Sequence, residues 1–447
     1  MSRDRYVDFL RAWSIGLVVL GHWLITALVR DPGGAIRAPE LLAVVPWTQW
    51  LTLGFQIMPL FFFAGGHAAG GSWSRARGAG GTASGWVGRR ALRLLLPAGA
   101  YSGLVLFAVA VCAAVGVAPD TLALVGWAMA MQFWFLPVYL IVSALTPVLY
   151  AAHLRWGVYV PLVMGAVALV AGYAPYTGSL NYVLVWGVAY QLGFCWRDGL
   201  LSRGVVVPGA MAVGGVVAFA VLVGVGAYPV SLIHVTGQTL SNTDPPSAAM
   251  LAWTVGQVGV CLLVAPGVRR LLERKLVWRV VRPVGGASMT LYLWHMLPVL
   301  VVAAAFYLTG LAPDPELGSV AWWVLRVPWL VVLGVVMGGV VVGLRPLERG
   351  LGVVYERARA PETADPRRSW ALWLGVAVSV GALARFAGVG FAEGGRFPVL
   401  PAVGLVLGVA LVMVPGWRRA RAAGREVERA EGDKGAKGTK GALEEAA

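Results

Sequence analysis

Arg11 and His22 are the residues whose types and spacing most directly suggest chemistry. Both lie in the opening stretch Arg3 to Trp23, which reads RDRYVDFLRAWSIGLVVLGHW. Charged residues at Arg3, Asp4, Arg5, Asp8 and Arg11 run straight into an apolar segment that then carries a histidine. At about 100° per residue, the step from Arg11 to His22 is about 20° beyond three full helical turns, so a helix puts both on one face, about 16 Å apart along the axis. Asp8, one turn before Arg11, falls near the same stripe. An ionisable group inside a membrane span is costly and by default marks a functional position facing a bundle interior or a wet cavity.

A second histidine, His295, lies in a late apolar stretch, TLYLWHMLPV. A neutral imidazole can abstract a proton from a hydroxyl near neutral pH. Two such rings at similar depth on different helices could share one cavity, although a lone intramembrane histidine can also serve as a helix-to-helix hydrogen bond. Arg89, Arg90 and Arg93, in GRRALRLLLP, form a basic cluster. Arg90 and Arg93 are one helical turn apart, so their guanidinium groups can converge, and arginine forks suit phosphate oxygens. The plainer role of such a cluster is topological anchoring. Arg326 either snorkels outward or enters the cavity.

The elements that must position these residues are membrane spans. The chain has 447 residues, 58% of them hydrophobic and 13% charged, with a mean hydropathy of +0.74. Soluble domains carry about 25% charged residues, so the composition is that of a polytopic membrane protein. About twelve apolar stretches approach the roughly 20 residues a bilayer requires: 10–29, 47–69, 93–117, 127–150, 158–174, 180–196, 205–227, 248–268, 285–309, 319–343, 370–390 and 397–415. The loops at 70–92, 151–157, 197–204, 269–284 and 344–369 are basic, whereas those around Asp120, Asp244 and Asp314 carry little positive charge. That alternation puts the N-terminus in the cytoplasm, and an even number of spans returns the C-terminus to the same side.

The formal net charge of +15 follows topology, and no nucleic-acid partner is expected. Cys112, Cys195 and Cys261 sit in apolar segments without metal-site or disulfide spacing. No metal is expected. The apolar run from Ala12 to Val29 is long and lacks a small-residue cleavage site, so it reads as a span rather than a signal peptide. The segment from Trp417 to Ala447 is mixed-charge and poor in apolar residues, which implies a disordered cytoplasmic tail.

The opening YVDFLRAWSIGLVVLGHW resembles the first helix of the acyltransferase-3 family of integral membrane acyltransferases, whose Arg, ten intervening residues and His are matched by Arg11 and His22. Further stretches match in order: PLFFFAGG, RRALRLLLP with Arg90 and Arg93, FWFLPVYL, and TLYLWHMLPV. Ala64 stands where the family often has serine. The resemblance implies an all-α bundle with a ten-helix core over residues 1–350, to which 351–416 add two further spans. It resembles the stand-alone form, without a fused esterase-like domain.

What the resemblance implies for activity is O-acyl transfer in the inner (plasma) membrane of a bacterium. Acyl-CoA, with acetyl-CoA expected, would serve as co-substrate, with no permanently bound cofactor. The acceptor would be a hydroxyl of a sugar, glycan, secondary metabolite or other polyol. His22 and Arg11 would then be catalytic, Asp8 and His295 substrate-binding, and Arg89, Arg90 and Arg93 would hold the CoA phosphates. The competing reading of the same layout is a proton-coupled secondary transporter, but no repeat relates the two halves. A non-catalytic lipid- or glycan-binding scaffold is a weaker third reading.

Overall fold

In the computed structural model, residues 4–30, 36–173, 177–359 and 369–414 are described. The Trp417–Ala447 segment lies outside them. Each apolar stretch is helical. The bundle comprises α1 (Arg5–Ile25), α2 (Met58–Gly78), α3 (Ala83–Ala114), α4 (Pro119–Ala144, interrupted by a 3-10 turn at Met131–Trp134), α5 (Thr146–Trp156), α6 (Tyr159–Tyr173), α7 (Asn181–Arg197) and α8 (Val206–Gly224). It continues with α9 (Ala248–Glu273), α10 (Lys275–Gly286), α11 (Ser288–Trp294), α12 (Met296–Tyr307), α13 (Val320–Gly343), α14 (Arg345–Ala358), α15 (Trp370–Val389) and α16 (Val399–Val414). Among the described residues, 8 helices are long and apolar enough to cross a membrane, or up to 10 if the bent pairs α5–α6 and α11–α12 each count as one span. The remaining two apolar stretches form α7, with 17 residues, and the shorter α16. Strand content among the described residues is slight: a hairpin of Val29–Arg30 against Ile36–Arg37 and a few isolated bridges.

Several stretches that read as basic loops are helical. Arg89, Arg90 and Arg93 lie inside α3, which Thr82 caps by accepting the Gly85 amide at 3.2 Å. At 32 residues α3 is about 48 Å long, more than a hydrocarbon core of about 30 Å needs, so one or both ends project beyond it. Segment 151–157 belongs to α5, and the chain turns by 115° before α6 at Gly157, whose φ of 54° favours glycine. Segments 269–284 and 344–369 contain α10 and α14. Both alternate charged and apolar residues at helical period, so average hydropathy hides them.

α2 and α7 are among the most enclosed helices and approach closely through small residues. A Cβ on Gly66 would collide with the Tyr190 carbonyl, and one on Gly193 with that of Phe63. Of the two glycines of PLFFFAGG, Gly66 therefore serves backbone contact, whereas Gly65 makes room for the Tyr139 ring and hydroxyl. Ala64, between them and the phenylalanines, is fully buried. By contrast, α8 and α13 leave valines such as Val213, Val217, Val331 and Val335 exposed, as lipid-facing helices do.

Candidate functional site

His22 and His295 are in direct contact. His22 Nδ1 lies 2.7 Å from His295 Nε2, with ring centroids 5.0 Å apart. His22 occupies the last turn of α1, one turn from the Thr26 C-cap, rather than the middle of that helix. His295 sits at the break between α11 and α12, where the axis bends by 45°. The bend follows from Pro298, which lacks an N–H and whose ring crowds the carbonyl four residues earlier. Backbone carbonyls near the break take outside donors: Trp23 Nε1 bonds the His295 carbonyl at 2.6 Å and Gln132 Nε2 the Leu293 carbonyl at 3.0 Å.

The proton positions follow from the acceptors. His295 Nδ1 lies 2.8 Å from the Tyr292 carbonyl oxygen, which can only accept, so Nδ1 carries a hydrogen. With both rings neutral, His295 Nε2 is then the lone-pair nitrogen, and His22 Nδ1–H donates to it. Among the described residues, His22 Nε2 has no partner and keeps its lone pair free. The burial matches this asymmetry: His295 is fully enclosed, whereas His22 remains partly exposed. The pair is braced from behind. Tyr292 donates its hydroxyl to the Gln132 carbonyl at 2.7 Å, and Tyr101 to that of Met129 at 2.6 Å. Gln132 and Tyr292, polar positions of apolar stretches, are thus buried scaffold.

Arg326 is turned inward. It is 8% exposed, donates to the Thr26 carbonyl at 2.8 Å and holds its guanidinium 3.8 Å from the Trp322 ring centroid. It therefore closes the C-terminal end of α1, where the helix dipole favours a cation, one turn from His22.

The other sequence-derived residues lie towards the start of α1. Arg11 is half-buried, its guanidinium 5.8 Å from the Phe61 ring centroid, and its Nε is enclosed without a hydrogen-bond partner among the described residues. Asp8 is half-buried on the same helix. Arg90 donates to the Tyr139 hydroxyl at 3.0 Å, whereas Arg93 stands 5.3 Å over the Tyr355 ring of α14. The two guanidinium groups are thus engaged separately. Arg11 and Arg90 both abut the aromatic pair Phe61 and Tyr139, whose centroids are 5.5 Å apart. Phe61 packs on Phe135, and Phe135 on Tyr292, so aromatic rings link this region to the helix that carries His295. Among the described residues, no three His, Cys, Asp or Glu side chains are grouped to hold a metal.

A second histidine cluster escapes sequence reasoning. His153, which reads as a loop residue, is buried on α5 with Nε2 2.9 Å from Asp198 Oδ2 and Nδ1 3.8 Å from Cys195 Sγ. Arg197 bonds the other Asp198 oxygen at 2.8 Å and the Tyr150 hydroxyl at 3.0 Å. Both imidazole nitrogens have partners, and Cys195 is fully buried. The only linear hint is the spacing Cys195, Arg197, Asp198 at the end of an apolar helix.

With the helical membrane bundle and its buried histidine pair in view, sequence comparison supplies the class. Residues 4–344 match the acyltransferase-3 family, described as an acyltransferase domain. The chain belongs to that family and is a membrane O-acyltransferase, which selects the enzyme over the transporter. Neither the curated proteins nor the solved structures include a match.

Proposed function

We propose that this acyltransferase moves an acyl group, with acetyl expected, from acyl-CoA to a hydroxyl of a sugar, glycan or other polyol, with His22 Nε2 as general base. The observation that carries the reading is the hydrogen-bond chain from Tyr292 through His295 to His22, which leaves that one nitrogen open. His22 Nε2 takes the acceptor proton as the acceptor oxygen attacks the thioester carbonyl carbon. When the tetrahedral intermediate collapses, the C–S bond breaks and the CoA sulfur leaves with the proton from Nε2. His295 is a positioning residue: it fixes the His22 tautomer and accepts the Nδ1 hydrogen bond that strengthens when His22 is charged.

Arg11 acts at a distance, about 16 Å down the helix from His22, orienting the donor together with Asp8. Arg89, Arg90 and Arg93 hold donor phosphates in this reading, and the N-terminus faces the cytoplasm, in the inner membrane of a bacterium. The test is turnover of radiolabelled acetyl-CoA by purified protein. His22→Ala is expected to lower acyl transfer by at least about 10²-fold, the usual lower bound for general-base help. Activity within a few-fold of the parent overturns the assignment of His22.

A further inference from the structure

Among the described helices α10 is the most strongly amphipathic, and it borders a cleft that the acyl-transfer reading does not use. Trp278 and Arg279 stand three and four residues after Lys275, and Arg282 stands four and three residues after them, so the four share one face. Leu276 and Val280 lie on the opposite face and are exposed. That division is what a helix lying in a membrane interface requires: apolar side in the acyl chains, cationic side at the headgroups.

On the cationic side is a cleft of about 640 Å³ lined by Arg5, Glu273, Lys275, Trp278, Arg279, Arg282 and Pro283. Arg5 comes from the start of α1 and is fixed in place: its Nη1 donates to the Leu272 carbonyl at 3.1 Å, and its guanidinium stands 5.2 Å over the Trp278 ring. The lining therefore holds four cations against one carboxylate. Arg269 nearby is matched by Asp4 across 2.9 Å. Among the described residues, none of the four cleft cations forms an ion pair.

We propose that this cleft is a binding site for a phosphate ester, gripped by the Arg279 and Arg282 forks and by Lys275, with Arg5 and Trp278 forming the wall. Arginine matches phosphate oxygens in pairs, and an uncompensated group of cations beside an indole suits a phosphorylated ligand at headgroup depth. A phospholipid headgroup and a soluble nucleotide phosphate present the same chemistry, and the experiment separates them.

Full-length protein in neutral-lipid nanodiscs is titrated with the short-chain anionic lipid dioctanoyl phosphatidylglycerol and, in a parallel arm, with adenosine 3′,5′-bisphosphate. Binding in either arm that weakens about tenfold or more in the Arg279→Gln, Arg282→Gln double variant, as loss of charged hydrogen bonds predicts, supports the site, and the responding arm names the source. Arg279→Lys, Arg282→Lys keeps the charge without the fork and is expected to bind with intermediate strength. Both arginines are exposed, and the melting temperature of each variant checks the fold. Failure of the parent to bind either probe, or binding that the double glutamine variant leaves unchanged in both arms, overturns the proposal. The readout is independent of His22, so this site and the acyl-transfer mechanism fail separately.

Discussion

The molecule holds two buried histidine clusters built on opposite principles. His153 looks more like a hydrolytic triad, with Asp198 on one nitrogen and Cys195 near the other. Yet both its nitrogens are engaged, and its thiol has no exposed surface. Among the described residues, His22 has no carboxylate in contact. It leans on a neutral imidazole that leans on a main-chain carbonyl, and it keeps one nitrogen open. A carboxylate beside a histidine thus marks a fastened joint here, and the reactive ring is the one left incompletely paired.

The largest expected effect tests that contrast directly. His22→Ala should lose about 10²–10⁴ in acyl transfer, while His153→Ala keeps transfer within a few-fold; equal losses in the two variants would erase the distinction. Next comes His295. His295→Ala should lower kcat by about tenfold or more with little change in KM, because it removes the acceptor that orients the base. His295→Gln, whose amide oxygen can still accept from His22 Nδ1, should recover part of the loss and alter the pH profile of kcat. A change confined to KM would instead make His295 a substrate ligand.

His153→Ala should act on stability instead. Removing it deletes a buried ring packed against Tyr150 and Phe194 and frees one oxygen of Asp198, whose other oxygen Arg197 still holds. The folded state should lose about 0.5–3 kcal/mol, read as a lower melting temperature in detergent. An unchanged melting temperature would contradict its role as a fastening. The smallest effect belongs to Asp4 at the start of α1. Burial alone would raise its carboxyl pKa, but the Arg269 guanidinium and the Tyr6 and Val7 amides outweigh burial and hold it below the ordinary value. A group depressed in the folded state stabilises above its unfolded pKa and loses that contribution as pH falls through the folded one. Asp4→Asn should therefore lower the melting temperature slightly at neutral pH, and the gap to the parent should close in acid. A gap that widens in acid would refute the linkage.

Much of this was legible from residues alone. The apolar stretches found their helices because bilayer thickness fixes how long such a run must be. The late proline of TLYLWHMLPV, three residues after His295, carried the signal for the helix break. Hydropathy could not reveal α10 and α14, whose apolar residues occupy one side only. Nor could linear spacing bring His22 to 2.7 Å from His295, or separate Arg90 from Arg93, because both depend on which neighbouring helix each side chain meets. His153 was hidden for the same reason: its carboxylate and thiol arrive from a different helix.

The acceptor at the end of the histidine chain is the Tyr292 main-chain oxygen, an atom that no side-chain substitution deletes and that does not titrate near neutral pH. Where an aspartate in that role would bring a negative charge to the site, the amide oxygen brings none, so the hydrogen-bond chain ends on a neutral acceptor. The direction in which protons are held at this site is therefore anchored at its inner end in the peptide backbone, and a point mutation changes it through His295 rather than through the acceptor behind it.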